Sequence, residues 1–407
     1  MATTSRAPRP RPAGSLNRTT GNGHRSHRPL TNFRSNPASP FRHVDVMLVV
    51  CVAALSIFGA VMVYSTSRGP TPPYDTSYLK RVIMFILIGG VAMGAVAAFD
   101  YRKLRDYWVF IYGGTTLLLA LVLVPGIGRS TKGTQGWFQI GPFFQLQPSE
   151  FAKLGLIVGF AGLASQFRGD LDGTRVLMLL GMCGAPIALV MLQPDLGTAL
   201  VSVGVSFALL LVAGVRPRVL GALAVLAVLV TTLVLTSGVL KEYQVDRLTT
   251  YTRQDQEATT EAEAEARFNL DQAKLTIGSG GMWGKGLFNG SQTRLGIVPE
   301  QRTDFIFTAV GEQLGFVGSG VFLTVLGVVV WRVWRAAQLA RDDLGMLICT
   351  GVMVMLVVQI FENVGMTMGI MPITGIPLPF MSYGGSALLS TMIAMGLVLS
   401  VHMRRFT

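Results

Sequence analysis

Long apolar runs alternate with short polar connections along almost the whole chain. A bilayer core is about 30 Å thick, and an α-helix needs about 20 predominantly apolar residues to cross it. The pattern therefore predicts an all-α integral membrane protein, a polytopic bundle of about ten transmembrane helices. The ten apolar runs cover approximately residues 46–64, 82–99, 108–124, 151–167, 176–192, 196–215, 219–240, 305–330, 344–364 and 385–401.

The loops between these runs predict an orientation. Cytoplasmic loops are enriched in Lys and Arg, and this bias holds for short loops but not for long ones. If the N-terminus is cytoplasmic, the inner loops and the C-terminus hold twelve cations beyond those of the first 44 residues, whereas the short outer loops hold five. We therefore expect both termini to be cytoplasmic.

Composition supports a membrane protein. Half of the 407 residues are apolar and 14% are charged, against roughly a quarter charged in soluble proteins. The net charge of +12 comes largely from eight arginines among the first 44 residues, which contain no acid. We attribute this charge to membrane topology and not to nucleic-acid binding. The three cysteines all fall in apolar runs, which argues against a disulfide framework or a zinc site.

Residues 1–44 are rich in Arg, Pro, Ser, Thr and Asn and lack apolar runs. Such a segment cannot bury enough surface to offset its ordering entropy, so we predict a disordered, basic cytoplasmic tail. Its composition resembles that of an organelle transit peptide, but the amphipathic pattern is missing and a membrane span follows directly. The membrane domain is predicted to cover residues 45–405.

One connection, residues 241–304, is long enough to hold structure outside the membrane. Thr260-Glu-Ala-Glu263 is typical of a capping box that begins a helix. Gly278-Ser-Gly-Gly281 would end that helix and begin a glycine-rich return to the bilayer. On their own, these glycines are also compatible with a simple linker. We predict one large extracytoplasmic loop with a functional role.

Charged and polar side chains inside the predicted spans lie near the outer ends. Charge within a bilayer is costly, so these residues are functional candidates by default. Asp304 lies where the long loop meets the eighth run, and Glu312 lies eight residues deeper on the same helical face. The outer group also includes Lys80, Arg81, Glu150, Lys153, Gln193, Asp195, Arg302, Glu362, Asn363, Ser382 and Tyr383.

Several of these residues also have a structural explanation. Asp195 could simply be the N-cap of the sixth span. Glu150 and Lys153 are spaced i,i+3 and could neutralise each other. Trp137 could be an interfacial aromatic anchor.

A series of short motifs extends through most of the chain. Over about residues 45–405 these motifs resemble, in their order, those of the SEDS family (shape, elongation, division and sporulation). Pro372-Ile-Thr-Gly-Ile-Pro-Leu-Pro379 resembles the elongation-type member RodA more than the division-type member FtsW. The other motifs are Gln147-Pro-Ser-Glu-Phe-Ala-Lys153, Gln193-Pro-Asp-Leu-Gly197, Ile277-Gly-Ser-Gly-Gly281, Thr303-Asp-Phe-Ile-Phe307, Gly311-Glu-Gln-Leu-Gly315 and the whole segment Gly365 through Gly385.

This resemblance implies a peptidoglycan glycosyltransferase that polymerises lipid II on the outer face of the bacterial plasma membrane. Lipid II is a disaccharide-pentapeptide carried on undecaprenyl diphosphate. The implied partner is a class B penicillin-binding protein, a transpeptidase, and the implied process is cell-wall elongation and maintenance of rod shape. By motif, Asp304 corresponds to the essential acid, and Trp137 to a tryptophan of the second outer loop. Gln272 and Lys274 match a Gln-Ser-Lys segment.

The chain departs from the family pattern at three places. Gly136 stands where the family usually has Arg, which removes one expected cation from the substrate site. Ala273 replaces the Ser between Gln272 and Lys274. Residues 250–268 are also richer in Glu and poorer in Pro than the family pattern, which affects the expected shape of the loop.

The chemistry of glycosyl transfer from a lipid diphosphate explains these residue types. The leaving diphosphate departs as an anion and needs cationic stabilisation, whereas the attacking sugar hydroxyl needs a base. A single aspartate among cations fits inverting transfer better than glycosidic hydrolysis, which uses two facing carboxyls. Asp304 could be the base or could bind a divalent cation such as Mg²⁺ or Mn²⁺; no covalently bound cofactor is expected. The candidate cations are Lys80, Arg81, Lys153, Lys274, Lys285 and Arg302.

Two other functions compete with the polymerase. A lipid II flippase would expose polar groups at successive depths, including a cytoplasmic entry site, and this chain concentrates them at the outer side. A scaffold that only recruits the partner synthase would not need the carboxylate of Asp304.

Overall fold

The structure, a computed structural model, describes residues 40–131, 134–141, 144–167, 171–236 and 261–406. A helix lies at each of the ten predicted apolar runs. These helices, together with two shorter ones in the long loop, are numbered here in chain order. They are α1 (Val46–Ser67), α2 (Ser77–Ala98), α3 (Leu104–Val122), α4 (Pro148–Ala164), α5 (Gly173–Leu192), α6 (Leu196–Val212), α7 (Pro217–Thr236), α8 (Glu261–Gly278), α9 (Ser291–Leu295), α10 (Ile306–Gln338), α11 (Asp343–Met368) and α12 (Gly385–Met403).

Six of the described helices are long and apolar enough to cross a bilayer by themselves: α1, α2, α5, α10, α11 and α12. Two others, α6 and the described start of α7, are apolar but shorter. The structure confirms a mainly helical membrane protein, whereas the count of ten spans and the orientation stay predictions. The predicted disordered tail falls almost wholly on residues 1–39, outside the described residues; Pro40–His43 forms a 3-10 turn before α1.

Local sequence explains where many helices begin and end. An aspartate side chain accepts a backbone N–H at the start of α1, α5, α6 and α11, which satisfies a donor that has no partner inside the helix. Proline opens α4 and α7, where its missing N–H costs nothing. At the other end of α11, Gly369 adopts a left-handed conformation with φ of 77° that closes the last turn.

The bundle has α4 and α12 at its centre. In the most apolar stretch of α12, 83% of the residues are buried within the protein. In α2 the share is 22%, and its outward side chains are available to lipid. Polar groups on α4 and α12 are therefore surrounded by protein, and each needs an internal partner. These two helices, with α2 and α6, contribute to the wall of the cavity described below.

The all-α prediction misses a small sheet in the connection between α3 and α4. Strands β1 (Arg129–Thr131), β2 (Thr134–Ile140) and β3 (Phe144–Leu146) form an antiparallel meander in the order β1-β2-β3. Its residues follow no clear two-residue alternation, so hydropathy contains no strand signal here. The sheet carries Trp137 on its central strand.

The described part of the long loop is ordered and enters a break in α10. Helix α8 confirms the helix predicted to begin at the capping box. Thr260 of that box lies outside the described residues, as does the rest of 241–260. At Gly315, with φ of 68° and ψ of −166°, the α10 backbone leaves the helical conformation. The N–H groups of Lys285 and Gly286 donate to the carbonyls of Glu312 and Gln313, at 3.0 Å each.

Hydrogen bonds also run in the opposite direction across the break, from α10 to the glycine-rich segment. The N–H groups of Phe316 and Val317 donate to the carbonyls of Gly281 and Met282, at 2.9 and 3.1 Å. These bonds satisfy backbone groups that the break would leave without partners. The glycine-rich segment is therefore hydrogen-bonded into the break of α10 and is not a simple linker.

Candidate functional site

A cavity of about 960 Å³ opens at the end of the bundle that holds the long loop. Its wall combines α2, the β-sheet, the first turns of α4 and α6, one face of α8, the segment 299–305 before α10, and residues 373–377 with the start of α12. Seven of the candidate residues line this cavity: Arg81, Trp137, Glu150, Lys153, Asp195, Asp304 and Tyr383. The structure therefore brings together candidates from six separate parts of the chain.

Asp304 lies half-buried on the cavity wall, just before α10 begins. Its backbone carbonyl accepts a hydrogen bond from the Asn363 side chain at 2.8 Å, and the same amide nitrogen donates to the Ile376 carbonyl at 2.8 Å. Gly375 faces the carboxylate closely: a Cβ at that position would lie 3.3 Å from Asp304 Oδ2. The backbone of Asp304 is therefore held by α11, and its carboxylate lies against the segment before α12.

Arginine and tyrosine side chains form a group at the mouth of the cavity. Arg81 hydrogen-bonds the Tyr383 side chain, and Tyr78 and Tyr383 meet edge-to-face with ring centroids 5.1 Å apart. The Arg302 guanidinium lies 4.4 Å from the Tyr78 ring centroid, and the Arg302 carbonyl accepts from the Tyr383 N–H at 2.9 Å. Two arginines thus meet at one edge of the cavity, where an anion would be stabilised.

The carboxyl of Asp75, in the turn before α2, shows the electrostatic effect of these arginines. Its pKa is lowered first by the backbone N–H and then by the hydroxyl of Ser77, which donate to it at 2.7 and 3.0 Å. The positive charges of Arg81 and Arg302 lower the pKa further. Asp75 therefore lies within the positive field of Arg81 and Arg302.

Glu150 and Lys153 form a buried ion pair on the first turn of α4. Lys153 Nζ lies 2.8 Å from Glu150 Oε1, with side-chain exposures of only 2% and 3%. The other carboxylate oxygen, Oε2, accepts from Ser390 of α12 at 3.0 Å. Both residues line the cavity, but they largely neutralise each other, in line with the structural explanation of their spacing.

Asp195 also combines a structural role with a place in the cavity wall. It is the N-cap of α6, because Oδ1 accepts from the Thr198 N–H at 3.0 Å and Oδ2 from the Thr198 hydroxyl at 2.8 Å. Oδ2 also accepts hydrogen bonds from the Gln147 side-chain amide at 3.3 Å and from the Ser149 hydroxyl at 3.4 Å. These contacts join the start of α4 to the start of α6.

Trp137 reaches the cavity because the sheet is attached to α12. Ser386 accepts from the Gln147 N–H at 3.0 Å and donates to the Gln145 carbonyl at 2.8 Å, which fixes β3 at the N-terminus of α12. Gly136, where the family pattern has arginine, is buried beside Trp137 and offers no side chain to the cavity. The half-buried indole can therefore face a ligand.

The other predicted site residues do not line the cavity. Lys80 is exposed on α2, and Arg302 contributes only through the tyrosine group at the mouth. On α8, the carbonyl of half-buried Gln272 accepts from Thr276, and Lys274 packs against Gly369. Ser382 accepts from the Leu378 N–H at 2.8 Å within the segment before α12.

Glu312 and Lys285 form a separate structural network. Glu312, fully buried, accepts from Lys285 Nζ at 2.8 Å, from the Gln292 and Thr293 N–H groups at 2.9 and 2.8 Å, and from the Thr293 hydroxyl at 2.7 Å. Its carboxylate holds the start of α9 against α10. The expectation that these two residues contact substrate is not supported by their position.

Sequence reasoning missed the two polar residues of α8 that line the cavity, Glu265 and Asn269. They are spaced i,i+4 and therefore share a face of the helix. Asn269 Oδ1 is buried without a hydrogen-bond partner among the described residues. The apolar spacing of Ala266, Leu270 and Ala273, all buried, would have indicated which way this helix faces.

No three His, Cys, Asp or Glu side chains converge on a possible metal position among the described residues. Mg²⁺ often takes only one or two carboxylates and completes its coordination with phosphate oxygens and water. Asp304 fits such a role because its carboxylate lies on the cavity wall. Glu150 fits it less well, since Lys153 and Ser390 occupy its two oxygens.

Comparison with known proteins agrees with this fold. Residues 45–406 match the FtsW/RodA/SpoVE family of cell cycle proteins. A probable peptidoglycan glycosyltransferase FtsW of Geobacter metallireducens is 36% identical over 92% of this chain and 98% of its own length. The peptidoglycan glycosyltransferase MrdB of Escherichia coli K12 is 32% identical over 89% of this chain and 94% of its own length.

A solved structure gives the same result. One chain of a peptidoglycan synthase complex that coordinates polymerization and crosslinking superposes with a TM-score of 0.75. It is 31% identical, and the match covers 89% of this chain and 99% of that one. The family that the motifs resemble is confirmed, and the chain belongs to the FtsW/RodA/SpoVE (SEDS) family.

Proposed function

We propose that this protein is a peptidoglycan glycosyltransferase that polymerises lipid II by inverting glycosyl transfer. The names of its relatives support the reaction class. The observation that carries the proposal is the cavity itself, where the Asp304 carboxylate and the arginine–tyrosine group line one space. A polyprenyl-linked substrate requires this combination of a polar chamber and adjoining membrane helices.

Each part of the cavity has a function in this proposal. Asp304 accepts the proton of the attacking sugar hydroxyl, or orients that hydroxyl through a bound divalent cation. Arg81, supported by Tyr383, stabilises the charge that develops on the departing diphosphate. Trp137 offers an aromatic face to a sugar ring. The partly buried Phe144 of β3 and Ile373 offer apolar surface to the first isoprene units.

A divalent cation, if it participates, would be Mg²⁺ or Mn²⁺ held by Asp304 and by diphosphate oxygens. It would add positive charge at the leaving group. Arg81 already supplies positive charge at the cavity wall without it.

We also propose the cellular setting. The polymerase lies in the bacterial plasma membrane among membrane lipids, and its cavity faces outward. It assembles with a class B penicillin-binding protein transpeptidase; the similarity to a chain of a peptidoglycan synthase complex supports a partner. The Pro372–Pro379 segment favours the elongation role of RodA, whereas the 36% identical relative named FtsW favours the division role.

The decisive experiment is polymerisation of purified lipid II by the purified protein, with and without its cognate transpeptidase carrying an inactivated crosslinking site. We expect glycan strands from the complex and their loss in the Asp304→Asn variant. Transport of lipid II across vesicle membranes without any polymerisation would instead support the flippase. Full activity of the Asp304→Asn variant would remove this residue from the mechanism.

A further inference from the structure

Three polar side chains on one face of α11 have no part in the proposed reaction so far. Gln359, Glu362 and Asn363 are 2%, 1% and 0% exposed, although α11 is otherwise strongly apolar. Buried polar groups in such a helix are costly, so each requires a structural or functional explanation. All three face residues 373–382, the segment that leads into α12.

Asn363 connects the proposed catalytic aspartate to this segment. One amide nitrogen donates to both the Asp304 carbonyl and the Ile376 carbonyl, at 2.8 Å each. The backbone of Asp304 and the cavity wall opposite it are therefore held by the same side chain.

Glu362, one residue earlier, holds the same wall at a second point. Its Oε1 accepts the Thr374 hydroxyl at 3.1 Å. Thr374 lines the cavity, whereas Glu362 does not. Thr374 and Ile376 flank Gly375, whose backbone approaches the Asp304 carboxylate, so the two bonds fix the residue between them.

The remaining oxygen of Glu362 has no structural purpose in the described part of the chain. Glu362 Oε2 is buried and lacks a hydrogen-bond partner there. A buried polar atom without a partner costs free energy, typically on the order of 1–3 kcal/mol.

We propose that Glu362 and Asn363 are positioning residues that set the distance between the 373–376 wall and the Asp304 carboxylate. This inference rests on the proposed function, because it assigns Asp304 to the reaction. Catalysis depends on placement, and a displacement of about 1 Å can cost on the order of 100-fold in rate. The unpaired oxygen is the stability cost of that placement.

Glu362→Met tests the proposal, because it removes both carboxylate oxygens while keeping an unbranched side chain of similar length. We expect kcat for lipid II polymerisation to fall about tenfold with KM nearly unchanged, while the melting temperature stays equal or rises. Glu362→Gln keeps an acceptor for Thr374 and should retain most of kcat. Gln359→Met is the matched control, since Gln359 lies on the same face without contacting the 373–376 wall, and it should keep wild-type kcat.

Thr374 supplies a second route to the same answer. Thr374→Val should lower kcat about as much as Glu362→Met. Thr374→Ser keeps the hydroxyl and should therefore keep kcat near the wild-type value. In the double variant Glu362→Met with Thr374→Val, kcat should fall about tenfold and not a hundredfold, because both changes remove the same hydrogen bond.

The outcomes separate this inference from the proposed function. Unchanged kcat in Glu362→Met, a parallel loss of melting temperature and kcat, or an additive double variant would each overturn the positioning role. An inactive Asp304→Asn variant in the same assay would leave the proposed function standing in those cases. A fully active Asp304→Asn variant would instead remove the basis of both.

Discussion

At the residue scale, the proposed chemistry depends on Asp304, and a charge-neutral replacement tests it. Asp304→Asn keeps the shape and removes the charge, so we expect polymerisation to fall on the order of 10²–10⁴-fold, typical of losing a general base. Folding should survive, because Asp304 is only half-buried at the cavity wall. Asp304→Glu should also be impaired, because it displaces the carboxylate.

The measurement is glycan formation by equal amounts of folded, partner-bound protein. Asp271→Asn is the matched control: it removes a carboxylate charge from an exposed position on α8 outside the cavity and should keep wild-type activity. If both variants polymerise equally well, Asp304 is not required.

Gly375 permits a second residue-scale prediction. Its φ of 75° disfavours any side chain, and a Cβ there would also press on Asp304 Oδ2. We expect Gly375→Ala to lower stability by about 1 kcal/mol from backbone strain and to reduce polymerisation beyond that loss. Gly214→Ala introduces comparable strain at φ of 90° into open space, and it should lower stability without affecting activity per folded molecule. Equal activity in the two variants would argue against close packing on Asp304.

The sequence predicts the identity of these residues better than their roles. Charge or a family motif identifies Asp304, Arg81 and Trp137 in the sequence, and the structure places all three around one cavity. Glu312 is also charged and also lies in a family motif, but its carboxylate holds the start of α9 instead. The difference depends on which way a buried carboxylate points, and this follows from tertiary packing that spacing along one helix does not determine.

At the element scale, the least predictable feature is the broken helix α10. Hydropathy predicts the span because apolar content is a local property, and all ten predicted runs coincide with helices. The break at Gly315 depends on backbone partners that lie in the glycine-rich segment earlier in the chain. The β-sheet was missed for a similar reason, because its cross-strand pairs, and not an alternating pattern, stabilise it.

Glycine substitutions test the broken helix. A Cβ at Gly280 would clash with the Gly311 carbonyl, whereas a Cβ at Gly320, in the part of α10 after the break, would meet open space. We expect Gly280→Ala to destabilise the protein by about 1–3 kcal/mol, typical of overpacking. Gly320→Ala should be neutral or stabilising by up to about 1 kcal/mol, because alanine favours helix. Thermal unfolding in detergent measures both, and equal melting temperatures would contradict the insertion of the glycine segment into α10.

At the scale of the whole molecule, function depends on which side of the membrane the cavity faces. The polar cavity, the described part of the long loop and the β-sheet lie at one end of the bundle. At the opposite end, Arg332 pairs with Asp45 at 2.6 Å, and Arg404 donates to the Ala97 and Ala98 carbonyls at the end of α2. This second end contains much of the positive charge that favours the cytoplasmic side.

This charge asymmetry implies a topology that reporter fusions can measure. A reporter fused after Gly290, in the long loop, should be extracytoplasmic, and one fused after Arg341, between α10 and α11, should be cytoplasmic. Alkaline phosphatase, active outside, and a fluorescent protein that matures inside provide a positive signal at each position. Reversed signals would place the cavity in the cytoplasm, where a polymerase of the outer face could not work. The same side at both positions would mean that α10 does not cross the membrane.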